Sequence, residues 1–128
     1  MTAIPTRWRT ALHDQLQSAL ERSATARRHL VAEDGSAAIQ EAYPAAIAGA
    51  TIRAWQDARP WEQSLSAAEM HRRICHQLPS LFATLTKGDV QRALTSPWRV
   101  EEARSYVEEV EKFVGDTKRL VEHWLESP

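Results

Sequence analysis

The stretch that decides the fold is VEEARSYVEEVEKFVGDTKRLVEHW, residues 100–124. Its apolar positions recur in alternating steps of three and four residues, which is the spacing of one face of an α-helix. This face contains Val100, Ala103, Val107, Val110, Val114, Thr117, Val121 and Trp124, and it is widened by Tyr106, Phe113 and Leu120. Because so wide an apolar stripe cannot be left in water, it predicts a long helix covered by other helices of the chain or of a partner.

The composition fits one domain over residues 1–128. With 43% hydrophobic residues, the chain can bury a core without a disulfide or a metal. Glycine (4) and proline (6) are sparse, which favours helix over strand. The net charge of −1 does not indicate a strongly basic nucleic-acid binder. The single cysteine, Cys75, predicts a cytoplasmic protein, and no apolar run predicts secretion or membrane insertion.

Two further helices are predicted in the first half of the chain. Residues 6–31 carry apolar side chains at helical spacing, and residues 33–36 form a polar turn. Residues 37–57 are rich in alanine and predict a second helix whose small side chains permit close approach of a neighbour. Pro44 lies inside this segment and predicts a kink or a new helix start. Residues 58–64, with Pro60, predict a loop.

The sharpest local signal is the start of the third helix. Ser66 is placed as an N-cap, and Glu69 three residues later completes a capping box. The helix is expected to end near Leu78, because Pro79 disfavours helical geometry at the preceding residue. Short helical turns are predicted around residues 81–88 and over 90–94, the latter capped by Asp89. The sequence therefore predicts an all-α fold, an antiparallel up-and-down bundle of four main helices with a short irregular helical segment before the last.

The order of these segments resembles the HEPN domains, small helical bundles of prokaryotes and some eukaryotic proteins. The similar segments are ALERSATARRHL (19–30), AAIQEAYPAAIAGATIRAW (37–55), SAAEMHRRICHQL (66–78) and SPWRVEEARSYVEEVEKFV (96–114). HEPN domains often occur beside nucleotidyltransferases or in toxin systems, and catalytic members dimerise symmetrically. The resemblance therefore implies a bacterial homodimer. Its implied partner is a nucleotidyltransferase-like protein or a toxin–antitoxin component, and its implied ligand is a nucleotide or RNA.

The resemblance also bears on catalysis. Catalytic HEPN members are ribonucleases that use an Arg and, a few residues later, a His near the start of a late helix. Arg92 is the best match here, but the following ALTSPWRVEE contains no histidine. The resemblance therefore implies a non-catalytic member that acts by binding or dimerisation, without a cofactor. Two alternatives remain open: a ribonuclease that uses Arg72, His71 and His76, and a structural subunit of a larger assembly.

Two short basic segments are candidate binding sites for phosphate or an RNA backbone. One lies on the third helix and the other on the first, and they could act together if their faces meet. The residues are His71, Arg72, Arg73 and His76 on the third helix and Arg27, Arg28 and His29 on the first. The alternative is an ordinary solvated face whose cations pair with acidic neighbours.

Two other patterns have both a functional and an ordinary interpretation. His71 and Cys75 are four residues apart and could offer two metal ligands, but two ligands do not make a site, so no metal site is predicted. Trp55 and Trp61 flank the loop at Pro60 and are candidates for an exposed binding surface. Simple packing of these tryptophans in the core is the alternative.

Overall fold

A computed structural model describes residues 4–126, and within this range it contains helices and no strand. The helices are α1 (Thr6–Val31), α2 (Gly35–Ala58), α3 (Ala67–His76), α4 (Ser80–Thr86), α5 (Val90–Thr95) and α6 (Val100–Glu126). The predicted all-α class is confirmed. None of the helices within residues 4–126 has both the length and the apolar content needed to cross a membrane.

Helices α1 and α2 run antiparallel. Near one end of the pair the ring of Trp8 on α1 meets that of Trp55 on α2, with centroids 5.2 Å apart. Towards the other end Arg22 lies 3.4 Å from the carboxylate of Glu41. The residue numbers of the partners therefore run in opposite directions along the two helices.

Helix α6 returns to α1 and is antiparallel to it. The side chain of Arg9 donates to the carbonyl of Leu125 at 3.4 Å, and Arg27 donates to Glu111 at 3.0 and 2.5 Å. Both α2 and α6 are thus antiparallel to α1, so they run parallel to each other. Among the contacts between them, Arg53 on α2 donates from Nε to Thr117 Oγ1 on α6 at 2.9 Å.

The chain returns from the end of α2 to the start of α6 through three short helices, α3, α4 and α5, which we call the return segment. It retraces α2 backwards: Arg73 lies 3.6 Å from Asp57, Tyr43 hydroxyl is 3.2 Å from Thr86 Oγ1, and Gln40 donates to the carbonyl of Leu94 at 3.2 Å. Neither α3 nor α5 has a buried residue. Three long helices and this broken return segment form the bundle, and the four-helix, HEPN-like arrangement stays a prediction.

The core lies where α1, α2 and α6 meet. The predicted stripe of α6 is confirmed: it buries Ala103, Val107, Val110, Val114, Thr117 and Val121. The facing surface of α2 is built from small residues, as predicted, and includes Ala42, Ala45, Ala46, Ala48 and Ala50. Gly49 lies among them and closely approaches α6. Small side chains on α2 therefore allow the valine-rich face of α6 to pack closely against it.

The local helix signals agree with the structure, with two differences. Side-chain oxygens of Ser66 and Asp89 cap α3 and α5, accepting from backbone N–H groups at 3.1 Å in each case. Helix α2 begins at Gly35, two residues before the prediction, because Asp34 caps it. It also continues through Pro44 without a break, so the predicted new start at Pro44 is wrong. Pro44 is half-buried, and helical hydrogen bonds on either side carry α2 past its missing N–H.

Candidate ligand-binding groove

A groove with a basic rim lies within the return segment, where the end of α3 faces α4. It has a volume of about 360 Å³, and we call it the basic groove. Its lining residues are Arg72, Cys75, His76, Leu78, Ala83, Thr86 and Lys87. Three of them, Arg72, His76 and Lys87, are exposed basic side chains, whereas Leu78 is buried and supplies an apolar floor. Among the residues within 4–126, no acidic side chain lines the groove, and because Arg72 is paired with Glu69, Lys87 is the lining cation without an ion pair.

The sequence around Pro79 creates the groove. Pro79 follows the last turn of α3 and occupies the N-cap position of α4, so the chain changes direction between the two helices. Leu78 packs into the core at this corner, with 7% of its surface exposed. On α4, Thr86 donates from Oγ1 to the carbonyl of Phe82 at 2.9 Å and meets the hydroxyl of Tyr43 on α2. These contacts fix the far wall of the groove, from which Lys87 extends.

The electrostatics of α3 centre on Glu69. Arg72 donates to both of its carboxylate oxygens, at 3.0 and 2.7 Å, and Arg73 donates to it from Nε at 3.0 Å. These hydrogen bonds lower the pKa of Glu69 to about 2, and the contact with Glu69 raises the pKa of Arg72. Glu69 thus uses its carboxylate for two arginines, not for the N–H of Ser66 that a full capping box requires. Arg73 also meets Asp57, so its charge is directed away from the basic groove towards α2.

His71 and Cys75 do make contact on α3, with Nε2 and Sγ 3.5 Å apart. Within residues 4–126, however, no group of three or more histidine, cysteine, aspartate or glutamate side chains is arranged to hold a metal. Of the two residues, Cys75 lines the basic groove and His71 does not. The side chain of His76, which also lines it, forms no hydrogen bond or ion pair with another residue within 4–126.

The two predicted basic segments do not form one surface. On α1, Arg27 is turned towards α6 and bound to Glu111, and this contact raises the pKa of Arg27. On α3, Arg73 reaches the C-terminal end of α2 at Asp57, whereas α1 meets α2 near its other end through Glu41. Glu41 and Asp57 are sixteen residues apart on one helix, or about 24 Å at 1.5 Å per residue. The basic residues of α1 and α3 therefore act at different ends of the bundle.

Arg92 lies on α5, exposed and outside the basic groove. Its backbone N–H is used by the Asp89 cap, and its side chain makes no hydrogen bond to any residue within 4–126. Helix α5 contains no histidine, and the helix that follows has its single histidine, His123, near the opposite end. The position predicted for a catalytic pair thus holds an arginine alone.

Trp55 and Trp61 belong to a cluster of four tryptophans at one end of the bundle. Ring centroids are 5.8 Å apart for Trp8 with Trp61 and for Trp61 with Trp124. All four rings are half-buried and pack against a group of buried residues that includes Leu12. The structure thus joins Trp55 and Trp61 to each other through Trp8, and their rings lie partly in the core.

Sequence reasoning missed Lys87, which completes the rim of the basic groove. Lys87 follows α4 in an otherwise unremarkable segment, and its relation to Arg72 and His76 depends on the turn at Pro79. The proline was visible in the sequence, but the side of α3 on which α4 would lie was not. The chain matches no family model, no curated protein and no solved structure.

Proposed function

We propose that this protein is a non-catalytic, HEPN-like binding module that takes a phosphate-bearing ligand of nucleotide size in the basic groove. The observation that carries the proposal is the juxtaposition of Arg72, His76 and Lys87 around one groove with no acidic lining residue. Arginine and lysine both bind phosphate through charge-assisted hydrogen bonds. Lys87 has no ion pair within residues 4–126, so its ammonium group is available to a ligand.

The size and floor of the groove favour a nucleotide over a bare anion. Its volume of about 360 Å³ lies within the range of small-molecule sites. Leu78 and Ala83 offer apolar surface to a base or a sugar, while the basic side chains stand at the rim. An end of single-stranded RNA presents the same chemistry, and a comparison of mononucleotide with oligonucleotide separates the two ligands.

The assignment of a non-catalytic role rests on how the candidate residues are used. Arg72 is held by Glu69 in a two-point contact, and Arg92 has no histidine on its own helix. A general acid or base must lie within hydrogen-bond reach of a positioned partner. His76 has no such partner within residues 4–126. The resemblance adds a homodimer, a cytoplasmic location and a nucleotidyltransferase-like or toxin–antitoxin partner to the proposal.

Calorimetric titration of the purified protein with AMP, ATP and a short oligoribonucleotide tests the proposal. We expect saturable binding of a mononucleotide, and Lys87→Ala should weaken it about tenfold, the equivalent of about 1.4 kcal/mol. Lys112→Ala is the matched control, because Lys112 is an exposed lysine on α6 away from the groove. Equal affinity in the two variants would contradict the groove as the site.

Incubation with labelled RNA tests the non-catalytic part separately. We expect the RNA to remain intact. Cleavage that disappears in His71→Ala or His76→Ala would overturn this part of the proposal and favour the ribonuclease alternative.

A further inference from the structure

The half-buried side chain of Arg53 makes two contacts but has no carboxylate partner within residues 4–126. Its Nε donates to Thr117 Oγ1 at 2.9 Å, and its Cζ lies 4.5 Å from the centroid of the Phe113 ring. Thr117, which is only 1% exposed, donates in turn to the carbonyl of Phe113 at 2.7 Å. Both contacts fix the plane of the guanidinium group, and neither uses its two terminal nitrogens.

The charge of Arg53 is poorly compensated by the protein. Burial lowers the pKa of Arg53, although the group remains protonated at any physiological pH. Asp116 is the acidic residue that acts on it electrostatically, but the carboxylate of Asp116 is hydrogen-bonded to Arg119. A partly desolvated cation with unused donors gains from an anion placed against it.

A second groove has Arg53 among its lining residues. It has a volume of about 300 Å³ and is lined by Arg53, Gln56, Asp57, Gln77 and Leu120, and we call it the Arg53 groove. The side chains of Gln56 and Gln77 form no hydrogen bond with any residue within 4–126, so their amide groups are free to donate. The Arg53 groove shares no lining residue with the basic groove. The two grooves are close in the chain, however, because Gln77 lies between His76 and Leu78, which line the basic groove.

The donors of the Arg53 groove suit the planar shape of a carboxylate. A guanidinium group presents a planar fork that matches the two oxygens of a carboxylate, and carboxamide N–H groups can extend that plane. Asp57 brings one negative charge to the rim, partly matched by Arg73 at 3.6 Å. Arg53 and Asp57 together give the lining no net charge, so it offers no excess positive charge to a doubly charged phosphate.

We propose that the Arg53 groove binds a carboxylate, held by the terminal nitrogens of Arg53 and by the side-chain amides of Gln56 and Gln77. The carboxylate can belong to a free small molecule or to an acidic side chain of a protein partner. Both sources offer the same two oxygens to the same donors. The inference is independent of nucleotide binding in the basic groove.

Nuclear magnetic resonance of the full ¹⁵N-labelled chain tests this proposal. The probes are N-acetylglycine, a free monocarboxylate, and a capped peptide whose single carboxylate is a glutamate side chain. We expect saturable shifts of the Arg53 Nε–H and of the Gln56 and Gln77 side-chain amides with one probe or both. Sodium chloride at equal ionic strength should not reproduce them. The probe that saturates the site identifies the source of the carboxylate.

Variants make the outcome decisive. Arg53→Lys keeps the charge but loses the planar fork, and Gln77→Ala removes one donor while leaving the backbone bonds that end α3. Each should weaken binding about tenfold. Arg22→Lys is the control, because Arg22 lies on α1 and pairs with Glu41. The proposal is overturned if neither carboxylate probe gives saturable shifts, including the case in which inorganic phosphate alone binds. It is also overturned if Gln77→Ala and Arg53→Lys bind the probes as tightly as the control variant does.

Discussion

Gly49 of α2 lies directly against the ring of Phe113 of α6: a Cβ added to Gly49 would stand 2.8 Å from Cε2 of that ring. Arg53 lies over one face of this ring, 4.5 Å from its centroid, so a shift of the ring disturbs that contact. We expect Gly49→Ala to destabilise the fold by about 1–2 kcal/mol, since overpacking outweighs the gain in helix propensity. The free energy of unfolding in urea, followed by circular dichroism, measures the change.

Gly115→Ala is the control for Gly49→Ala. Gly115 is also helical, but a Cβ there would meet nothing within 4 Å. We expect this variant to be more stable than the wild type by up to about 1 kcal/mol, because alanine is the better helix former. If both alanine variants stabilised the protein equally, the close approach of α2 and α6 at Gly49 would be refuted.

The lowered pKa of Glu69 predicts that the free energy of unfolding depends on pH. Its pKa is about 2 in the folded chain against a usual 4.5, because Arg72 and Arg73 donate to its carboxylate. A lowered pKa means that the contribution to stability is present above pH 4.5 and is lost as the pH falls towards 2. We therefore expect the stability difference between wild type and Glu69→Gln to shrink over this interval.

Urea titrations at a series of pH values between neutrality and pH 2 measure the effect of Glu69. Glu101→Gln controls for the removal of one negative charge, since Glu101 is exposed and has no ion pair within residues 4–126. A wild-type advantage over Glu69→Gln that stays constant through the whole series would contradict the contacts with Arg72 and Arg73.

The indole N–H of Trp61 is buried and has no hydrogen-bond partner within residues 4–126. Phenylalanine would keep most of the apolar ring and remove this unsatisfied donor. We expect Trp61→Phe to lie within about 1 kcal/mol of the wild type, because relief of the buried N–H offsets the smaller contact area. Trp61→Ala should cost about 3 kcal/mol or somewhat less, since the ring is half-buried.

Chemical denaturation of the two Trp61 variants, followed by far-ultraviolet circular dichroism, compares their stabilities without relying on tryptophan fluorescence. The ranking is the informative result. Should Trp61→Phe lose as much stability as Trp61→Ala, the indole N–H must have an acceptor, and the packing of Trp61 against Trp8 and Trp124 would need revision.

Pro44 interrupts the hydrogen bonds of α2 without ending the helix. Its missing N–H leaves the carbonyl of Gln40 without its helical donor, although Gln40 is exposed. We expect Pro44→Ala to stabilise the protein by about 1 kcal/mol or more. This gain should appear as a higher midpoint of thermal unfolding than that of the wild type. A lower midpoint would show that the half-buried proline ring contributes more through packing than it costs in helix geometry.

Local features were predictable from the sequence because their physics is local. The α6 stripe repeats every three or four residues, and the caps Ser66 and Asp89 stand within three residues of the N–H groups that they satisfy. Such signals need no knowledge of how the chain returns on itself. They establish an all-helical fold and most helix boundaries.

The two grooves could not be predicted from the sequence, because each depends on contacts between segments that are distant in the chain. Arg53 looked like one polar residue in an alanine-rich helix, and its environment is set by Phe113 and Thr117 on the last helix. Trp8 could not be linked to Trp55 and Trp61 from spacing alone. Sequence periodicity shows which face of a helix is covered, but it does not identify the side chain that covers it.

The absence of buried residues from α3 and α5 has a consequence for how the described part of the molecule opens. Regions with few buried contacts exchange their amide hydrogens through local opening, at a free energy below that of global unfolding. Helices α3 and α5 should therefore exchange faster than α1, α2 and α6. The Arg53 groove is lined by residues of α2 and α6 and by Gln77, which follows the last residue of α3. A carboxylate bound there would connect these segments, and we expect it to slow amide exchange at the end of α3.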